Sequence, residues 1–153
     1  MFGKVILVAL LVLSGCITQV DRAQATENDE IYKLSEINIS EGIVVIDFMA
    51  TWCSPCRTEM NHLKKIYNEY GDRIEIISVG IDSRESAELL VSYRKGAGCD
   101  WKFAIDDIGL SNEYIVRRIP TVIILNDGEL QKIYVGVVSS STLRREIKEL
   151  LGE

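Results

Sequence analysis

The sequence predicts an α/β fold in which helices cover both faces of a mixed β-sheet. Strand, helix, strand and helix follow one another from residue 43 onwards, as in repeated βαβ units. The first strand, residues 43–49 (IVVIDFM), is nearly apolar throughout, as expected for a strand covered on both faces. A hairpin signal, Asp127-Gly128, precedes a final amphipathic helix and predicts antiparallel strands at the end of the sheet.

Hydrophobic periodicity predicts each element in order. Residues 43–49 and 74–81 are predicted strands. Residues 57–70 between them repeat apolar side chains every three or four positions, which indicates one helix face: Met60, Leu63, Ile66, Tyr67 and Tyr70. The remaining predicted elements are a helix at 84–94, a short strand at 103–106, a short helix at 110–116, hairpin strands at 121–125 and 131–135, and a C-terminal helix after residues 139–141.

Composition restricts the class of protein. The chain has 153 residues, of which 47% are hydrophobic and 26% charged, and a net charge of −6. These values are typical of one ordinary globular domain and exclude a disordered or fibrous chain. Because phosphate contacts need a basic surface and no block rich in Lys or Arg is present, nucleic-acid binding is not expected.

The first residues differ from the rest of the chain. Lys4 is followed by nine apolar residues, 5–13, which as a helix would be too short to cross a bilayer of about 30 Å. Together with the small residues that follow, this segment indicates a secretory signal. Leu13-Ser14-Gly15-Cys16 resembles a bacterial lipobox, in which cleavage before the cysteine leaves it lipid-modified. An ordinary signal peptide with a chance cysteine is the alternative.

The resulting division of the chain has three parts. Residues 1–15 are predicted to be a lipoprotein signal peptide and residues 16–30 a lipid-anchored tether, because this stretch is polar and lacks periodicity. Residues 31–153 are predicted to form the folded domain. We therefore expect a domain that lies on the extracytoplasmic face of the cytoplasmic membrane, with Cys16 as the lipid attachment point.

The chemistry is concentrated in Cys53-Ser54-Pro55-Cys56, between the first strand and the first long helix. Two cysteines at this spacing can form a disulfide when the second lies in the first turn of a helix. The helix dipole and its free N–H groups lower the pKa of a thiol at the helix start, so Cys53 is predicted to be the exposed, nucleophilic thiol. Pro55 suits the first helical turn, and Trp52 offers a flat apolar contact surface.

These residues resemble the thioredoxin superfamily. Residues 45–56 (VIDFMATWCSPC) are similar to its strand, aromatic and CxxC segment, residues 118–121 (RIPT) to its cis-proline turn, and Gly136 has a counterpart before the last helix. The similarity covers about residues 31–151. Residues 57–60 (RTEM), the extra helix and strand around 84–106 and the lipid signal are most similar to the membrane-anchored TlpA/ResA-like branch.

The resemblance implies a fold and a set of site residues. The fold is a thioredoxin-like three-layer sandwich, with a mixed central sheet and helices on both faces. Cys53 and Cys56 form the redox disulfide, and Asp47 is a buried acid that relays protons. Pro120, with a cis peptide bond, presents the backbone of Ile119 to the substrate beside Trp52.

Other singled-out residues have less specific interpretations. Glu59 is predicted to be a solvated helix charge, although a catalytic base is the alternative. His62 lies about 240° around the helix from Cys56, so the two cannot bind one metal ion together with Cys53. Cys99 has no predicted partner and is expected to be a structural or tolerated thiol. Trp101 and Phe103 are expected to pack in the core or a loop.

The resemblance implies a membrane-tethered thiol-disulfide oxidoreductase that reduces disulfides of exported proteins, including apocytochromes c. A polytopic membrane thiol transporter is the implied electron donor. We expect a monomer without a metal or another cofactor. Three alternatives remain: an oxidase that donates disulfides, a copper-binding or metal-chaperone lipoprotein, which would need a third ligand, and a binding module with a structural disulfide.

Overall fold

A computed structural model describes residues 30–153. The predicted signal segment 1–15, the lipid attachment at Cys16 and the tether up to residue 29 lie outside the described residues. Within residues 30–153, no helix is both long enough and apolar enough to cross a bilayer.

Six strands form one mixed sheet. They are β1 (Tyr32–Lys33), β2 (Ile43–Met49), β3 (Glu75–Gly80), β4 (Lys102–Ile105), β5 (Thr121–Asn126) and β6 (Glu129–Val135). Their order is β1-β4-β3-β2-β5-β6. The pairs β1–β4, β4–β3 and β3–β2 are parallel, whereas β2–β5 and β5–β6 are antiparallel. β2 is therefore an interior strand and, as predicted, all seven of its residues are buried.

Four α-helices and a short 3₁₀ helix cover the sheet. They are α1 (Ser54–Tyr70), α2 (Ala87–Ala97), α3 (Leu110–Glu113), α4 (Ser140–Leu151) and the 3₁₀ helix Leu34–Glu36. One sheet face packs against α1, α2 and α4 in a core that includes Met60, Leu63, Ile66, Leu90, Phe103, Leu143 and Ile147. The other face packs against the 3₁₀ helix and α3 in a core that includes Leu34, Ile46, Phe48, Ile77, Val79, Leu110 and Ile123. The predicted fold class, a mixed sheet with helices on both faces, is confirmed.

The helix boundaries agree with the prediction at the start of α1 and differ from it by a few residues at α2 and α3, for local reasons. α1 begins at Ser54, so Pro55 and Cys56 lie in its first turn as predicted, and the Cys53 side chain caps this turn. α2 begins at Ala87, not at residue 84, because Asp82 accepts a hydrogen bond from the Arg84 backbone in a turn and Ser86 caps the helix. α3 ends at Glu113, not at residue 116, since Ile115 has a φ of 54°.

The end of the sheet agrees with the hairpin prediction. Asp127 and Gly128 both have positive φ, 51° and 78°, which is the conformation that a two-residue hairpin turn requires. Strand β1 has only two residues and was not predicted, because so short a segment carries no periodicity. Trp101 and Phe103 are 3% and 0% exposed, which confirms the prediction that they are packing residues.

Candidate active site

Cys53 and Cys56 form a disulfide at the beginning of α1, with an S–S distance of 2.09 Å and a Cα–Cα distance of 5.3 Å. The Cys53 sulfur accepts a hydrogen bond from the backbone N–H of Cys56 at 3.2 Å, so Cys53 is the N-cap of the helix. Pro55 lies in the first turn, where a missing N–H leaves no helix bond unmade. The pair therefore lies at the carboxyl end of an interior strand and at the positive end of a helix dipole.

The expectation of an exposed Cys53 is wrong for the disulfide form. Cys53 is only 3% exposed and Cys56 is fully buried. The N–H of Cys53 donates to the carbonyl of Ala50 at 3.0 Å, which turns the chain back over the end of β2. Cys53 nevertheless lines an open groove, whereas Cys56 does not, so Cys53 is the more accessible of the two.

Asp47 lies within β2 and is fully buried. Side chains alternate along a strand, and Val45 and Met49 pack in the same core as Cys53 and Cys56, so Asp47 points to the face covered by α1. Its Oδ2 accepts a hydrogen bond from the Ser78 hydroxyl at 3.3 Å, while Oδ1 has no partner among the described residues. Burial raises the pKa of Asp47 well above its ordinary value, and nearby Glu59 raises it further. The predicted buried acid is present; its role as a relay remains a prediction.

Glu59 is not the solvated charge predicted from the sequence. It is fully buried, and its Oε2 accepts a hydrogen bond from the backbone N–H of Val138 at 2.8 Å. Burial raises its pKa to about 7, against the lowering effect of the Val138 hydrogen bond. Glu59 follows Cys56 by one helical turn, on the stripe that includes Met60 and Leu63, and this spacing was the signal that could have identified it.

A groove of about 530 Å³ runs beside Cys53. It is lined by Ala50, Trp52, Cys53, Ser54, Pro55, Ile81, Asp82, Val116, Arg117, Arg118 and Ile119. Two of the three residues predicted to bind substrate, Trp52 and Ile119, thus lie at this groove. Pro120 is buried next to it, and the peptide bond between Ile119 and Pro120 is cis, as the resemblance implied.

The Ile119 backbone is available for pairing. The carbonyl of Pro120 accepts the N–H of Gly136 at 2.8 Å, and the carbonyl of Arg118 accepts the Thr121 hydroxyl at 2.7 Å. Between these two bonded positions, the N–H and the carbonyl of Ile119 make no hydrogen bond within the described part of the chain. An extended segment lying in the groove can therefore pair with Ile119 like an added strand.

Trp52 is held in place although it is 64% exposed. Its Nε1 donates to Oδ2 of Asp82 at 2.7 Å, and the guanidinium of Arg84 contacts the same carboxylate at 2.6 Å. These hydrogen bonds keep the pKa of Asp82 well below its usual range. The indole thus presents a fixed apolar surface at one side of the groove.

Glu85 also supports the site and was not identified from the sequence. It accepts a hydrogen bond from the backbone N–H of Thr51, two residues before Cys53. A Cβ atom on Gly80 would lie 2.6 Å from the second carboxylate oxygen of Glu85, so the missing side chain makes room for this carboxylate. A single sequence carries no signal for this contact of Glu85 with Gly80 and Thr51, because these residues lie far from Glu85 along the chain or on other elements of the fold.

The other singled-out residues lie apart from the disulfide chemistry. Cys99 is 5% exposed, its Sγ is 3.9 Å from Sδ of Met60, and burial raises its pKa to about 11. It is thus an unreactive packing thiol. His62 is half-buried and accepts a hydrogen bond from the Ser140 N–H at 3.4 Å. Among residues 30–153, no three His, Cys, Asp or Glu side chains are grouped to hold a metal ion.

Residues 41–130 match the family model described as Thioredoxin-like. The chain is 32% identical to the Thioredoxin-like protein YneN of Bacillus subtilis over 68% of its own length and 62% of that protein. It is 31% identical to the Thiol-disulfide oxidoreductase ResA of Halalkalibacterium halodurans over 71% of its length and 61% of that protein. The chain thus spans less than two thirds of these two relatives.

Solved structures show the same fold. StoA from Bacillus subtilis superimposes with a TM-score of 0.61 at 24% identity, over 71% of this chain and 83% of StoA. A putative thiol:disulfide interchange protein DsbE from Chlorobium tepidum has a TM-score of 0.65 at 22% identity, over 74% of this chain and 82% of that one.

Proposed function

Because the chain belongs to the thioredoxin-like family, we propose that it is a thiol-disulfide oxidoreductase that acts through Cys53 and Cys56. The observation that supports this proposal is the Cys53–Cys56 disulfide at the N-terminus of α1, beside an open groove. A disulfide with only a structural role would not need the helix dipole, which stabilises the thiolate form of Cys53.

The proposed reaction moves two electrons from the dithiol to a substrate disulfide. The Cys53 thiolate attacks one substrate sulfur, the substrate S–S bond breaks, and the released thiolate takes up a proton. Cys56 then loses its proton and attacks Sγ of Cys53 in the mixed disulfide. The Cys53–Cys56 bond forms, and the second substrate sulfur leaves as a thiolate that is protonated. The substrate is reduced and the protein is left in the disulfide form.

We propose that Asp47 and Glu59 accept the proton that Cys56 loses and return it in the reverse reaction. Both carboxyls are buried on the face that carries Cys56, and the charge of Glu59 raises the pKa of Asp47. A carboxylate with a raised pKa accepts a proton from a thiol more readily than an ordinary carboxylate does. In the reverse direction, the protonated acid returns this proton to Cys56 as the disulfide is opened.

The direction and location are proposed from the sequence features and the relatives. The lipobox-like segment before Cys16 supports a lipid-anchored protein on the extracytoplasmic face of the membrane. The similarity to ResA, named a thiol-disulfide oxidoreductase, supports action on disulfides, and the signal-like segment supports exported proteins as the substrates. Apocytochromes c are the proposed substrates within this class, with a polytopic membrane thiol transporter as the electron donor.

Trapping with single cysteine variants tests the proposed reaction. Cys56→Ser removes the resolving thiol, so Cys53 should accumulate mixed disulfides with substrates, visible on non-reducing gels and reversed by dithiothreitol. Cys53→Ser is the matched control and should accumulate none. Adducts on Cys53→Ser instead would show that the roles are reversed, and adducts on neither variant would contradict the proposed chemistry.

The equilibrium reduction potential tests the direction. Titration of the Cys53–Cys56 pair against glutathione and dithiothreitol series gives this potential directly. A reductase should have a potential near that of thioredoxin, about −270 mV, whereas a disulfide donor should lie near about −120 mV. A value at the oxidising end would replace the reductase proposal by the oxidase alternative.

A further inference from the structure

Two arginines line the groove beside the redox disulfide. Arg117 and Arg118 are both exposed, and they directly precede Ile119. Within the described residues, neither guanidinium makes an ion pair or a hydrogen bond. Two free cations therefore face whatever segment lies along the groove.

The groove contains one carboxylate, and that carboxylate is already neutralised. Asp82 is contacted by Arg84 at 2.6 Å and by the Trp52 Nε1 at 2.7 Å, and only 12% of its side chain is exposed. Its charge is therefore balanced before any substrate binds. Apart from Asp82 and the two arginines, the groove lining is uncharged, so the groove carries a net positive charge.

We propose that Arg117 and Arg118 select substrate segments with acidic residues close to the reactive cysteine. This inference rests on the proposed function and specifies its substrate class: an extended, cysteine-containing segment with an apolar surface and at least one Asp or Glu near the cysteine. The apolar part contacts Trp52 and Val116, and the carboxylates contact the two guanidinium groups.

The geometry limits where the acidic residue can be. A substrate cysteine bonded to Cys53 places its neighbouring backbone against Ile119, and Arg118 and Arg117 are the next two residues along the chain. An extended segment advances about 3.3 Å per residue, and alternate side chains point to the same side. Carboxylates one or two positions from the cysteine therefore lie within reach of an arginine side chain.

Matched disulfide peptides test this selectivity with the reduced full-length protein. The probe is the disulfide dimer of acetyl-Gly-Glu-Ala-Cys-Ala-Glu-Gly-amide, and the two comparison peptides carry Gln or Lys in place of both Glu residues. Each rate constant is divided by that for reduction of the same peptide by dithiothreitol, which removes the intrinsic effect of charge on the disulfide. At low salt, the Glu peptide should react about fivefold faster than the Gln peptide, and the Lys peptide about fivefold slower.

Salt and variants separate charge recognition from other effects. In about 0.5 M NaCl the Glu preference should fall below about twofold, because exposed charges are screened. The double variant Arg117→Gln, Arg118→Gln should lose the preference, so that its normalised rates with the Glu and the Gln peptides become equal. The matched control Lys65→Gln, Lys148→Gln removes two exposed cations outside the groove and should keep it.

Each outcome is decisive. Equal normalised rates for the three peptides, or a Glu preference that survives in the Arg117→Gln, Arg118→Gln variant, would overturn the selectivity while leaving the oxidoreductase proposal intact. The neutral probe hydroxyethyl disulfide distinguishes failure of the selectivity from failure of the proposed function. If the reduced protein reacts neither with this probe nor with any of the three peptides, the proposed oxidoreductase function is wrong, and the selectivity is wrong with it.

Discussion

Ser78 lies directly opposite Asp47 on the neighbouring parallel strand, and its hydroxyl donates to Oδ2 of Asp47 at 3.3 Å. The Nε1 of Trp101 donates to the same Ser78 oxygen at 2.9 Å, which leaves the serine hydrogen free for Asp47. This is the single hydrogen bond that the Asp47 carboxyl makes within residues 30–153. The bond lowers the pKa of Asp47 and partly offsets the raising effects of burial and Glu59.

Replacement of Asp47 tests the proton relay. Asp47→Asn should keep the fold, because an amide has a similar volume and removes a buried charge. The rate at which Cys56 resolves the mixed disulfide should fall by about 10- to 100-fold near neutral pH, while the first attack by Cys53 changes less. Stopped-flow fluorescence of Trp52 across a series from about pH 5 to about pH 9 measures both steps.

Ser78→Ala is the matched control for this relay. It removes the hydrogen bond that lowers the pKa of Asp47, so the rise of the resolution rate with pH should move to higher pH and reach a similar plateau. In Asp47→Asn this rise should disappear. Identical pH profiles in all three proteins would reduce Asp47 to a structural residue.

Glu59 should make the stability depend on pH. Its pKa is raised to about 7 in the folded state, so folding favours the neutral form. The associated stability is fully present below the unfolded pKa of about 4.5 and is lost as the pH rises through 7. Glu59→Gln keeps an acceptor for the Val138 N–H and should raise the free energy of unfolding by about 2 kcal/mol at about pH 8, with little effect at about pH 4.

Urea unfolding of the disulfide form over this pH range measures the effect of Glu59. The control is Glu41→Gln, which removes an exposed carboxylate and should shift the unfolding midpoint little at any pH. A Glu59→Gln protein that is less stable than the parent at about pH 8 would show that the ionised carboxylate stabilises the fold.

Ile115 should be an unfavourable residue for its backbone conformation. It is 66% exposed and has a φ of 54°, a region that disfavours β-branched side chains. Asn tolerates this conformation, so Ile115→Asn should raise the free energy of unfolding by about 1 kcal/mol. Ile108→Asn replaces an isoleucine that is 52% exposed and has no positive φ, and it should give no such gain. Equal effects of the two substitutions on thermal unfolding would refute this prediction.

Cys16 should anchor the protein to the membrane. Cys16→Ser should block lipidation and leave an uncleaved precursor or a mislocalised soluble form, while a domain beginning at about residue 30 should keep its thiol activity. Membrane fractionation after a salt wash, combined with mass measurement of the N-terminus, checks this. Tight membrane association of Cys16→Ser with its signal removed would contradict the lipoprotein interpretation.

The sequence by itself determined the features that depend on neighbours along the chain. The alternation of strands and helices, the Asp127-Gly128 turn and the position of Cys53-Ser54-Pro55-Cys56 at a helix start all follow from short-range rules of periodicity, turn chemistry and capping. These rules act over a few residues, so they can be applied without knowing the fold. The start of α2 differs from the prediction by a few residues because the Ser86 side chain caps this helix.

Only the tertiary structure decided which polar groups are buried and which charged residues lie at the groove. Glu59 is buried because the backbone of Val138, far along the chain, closes over it and satisfies one of its oxygens. Arg117 and Arg118 line the same groove as Cys53 because the loop before β5 lies beside the start of α1. The same residue types would be solvated if these segments packed elsewhere. Helical periodicity states which face is apolar, but the partner of a polar residue on that face depends on contacts between distant segments.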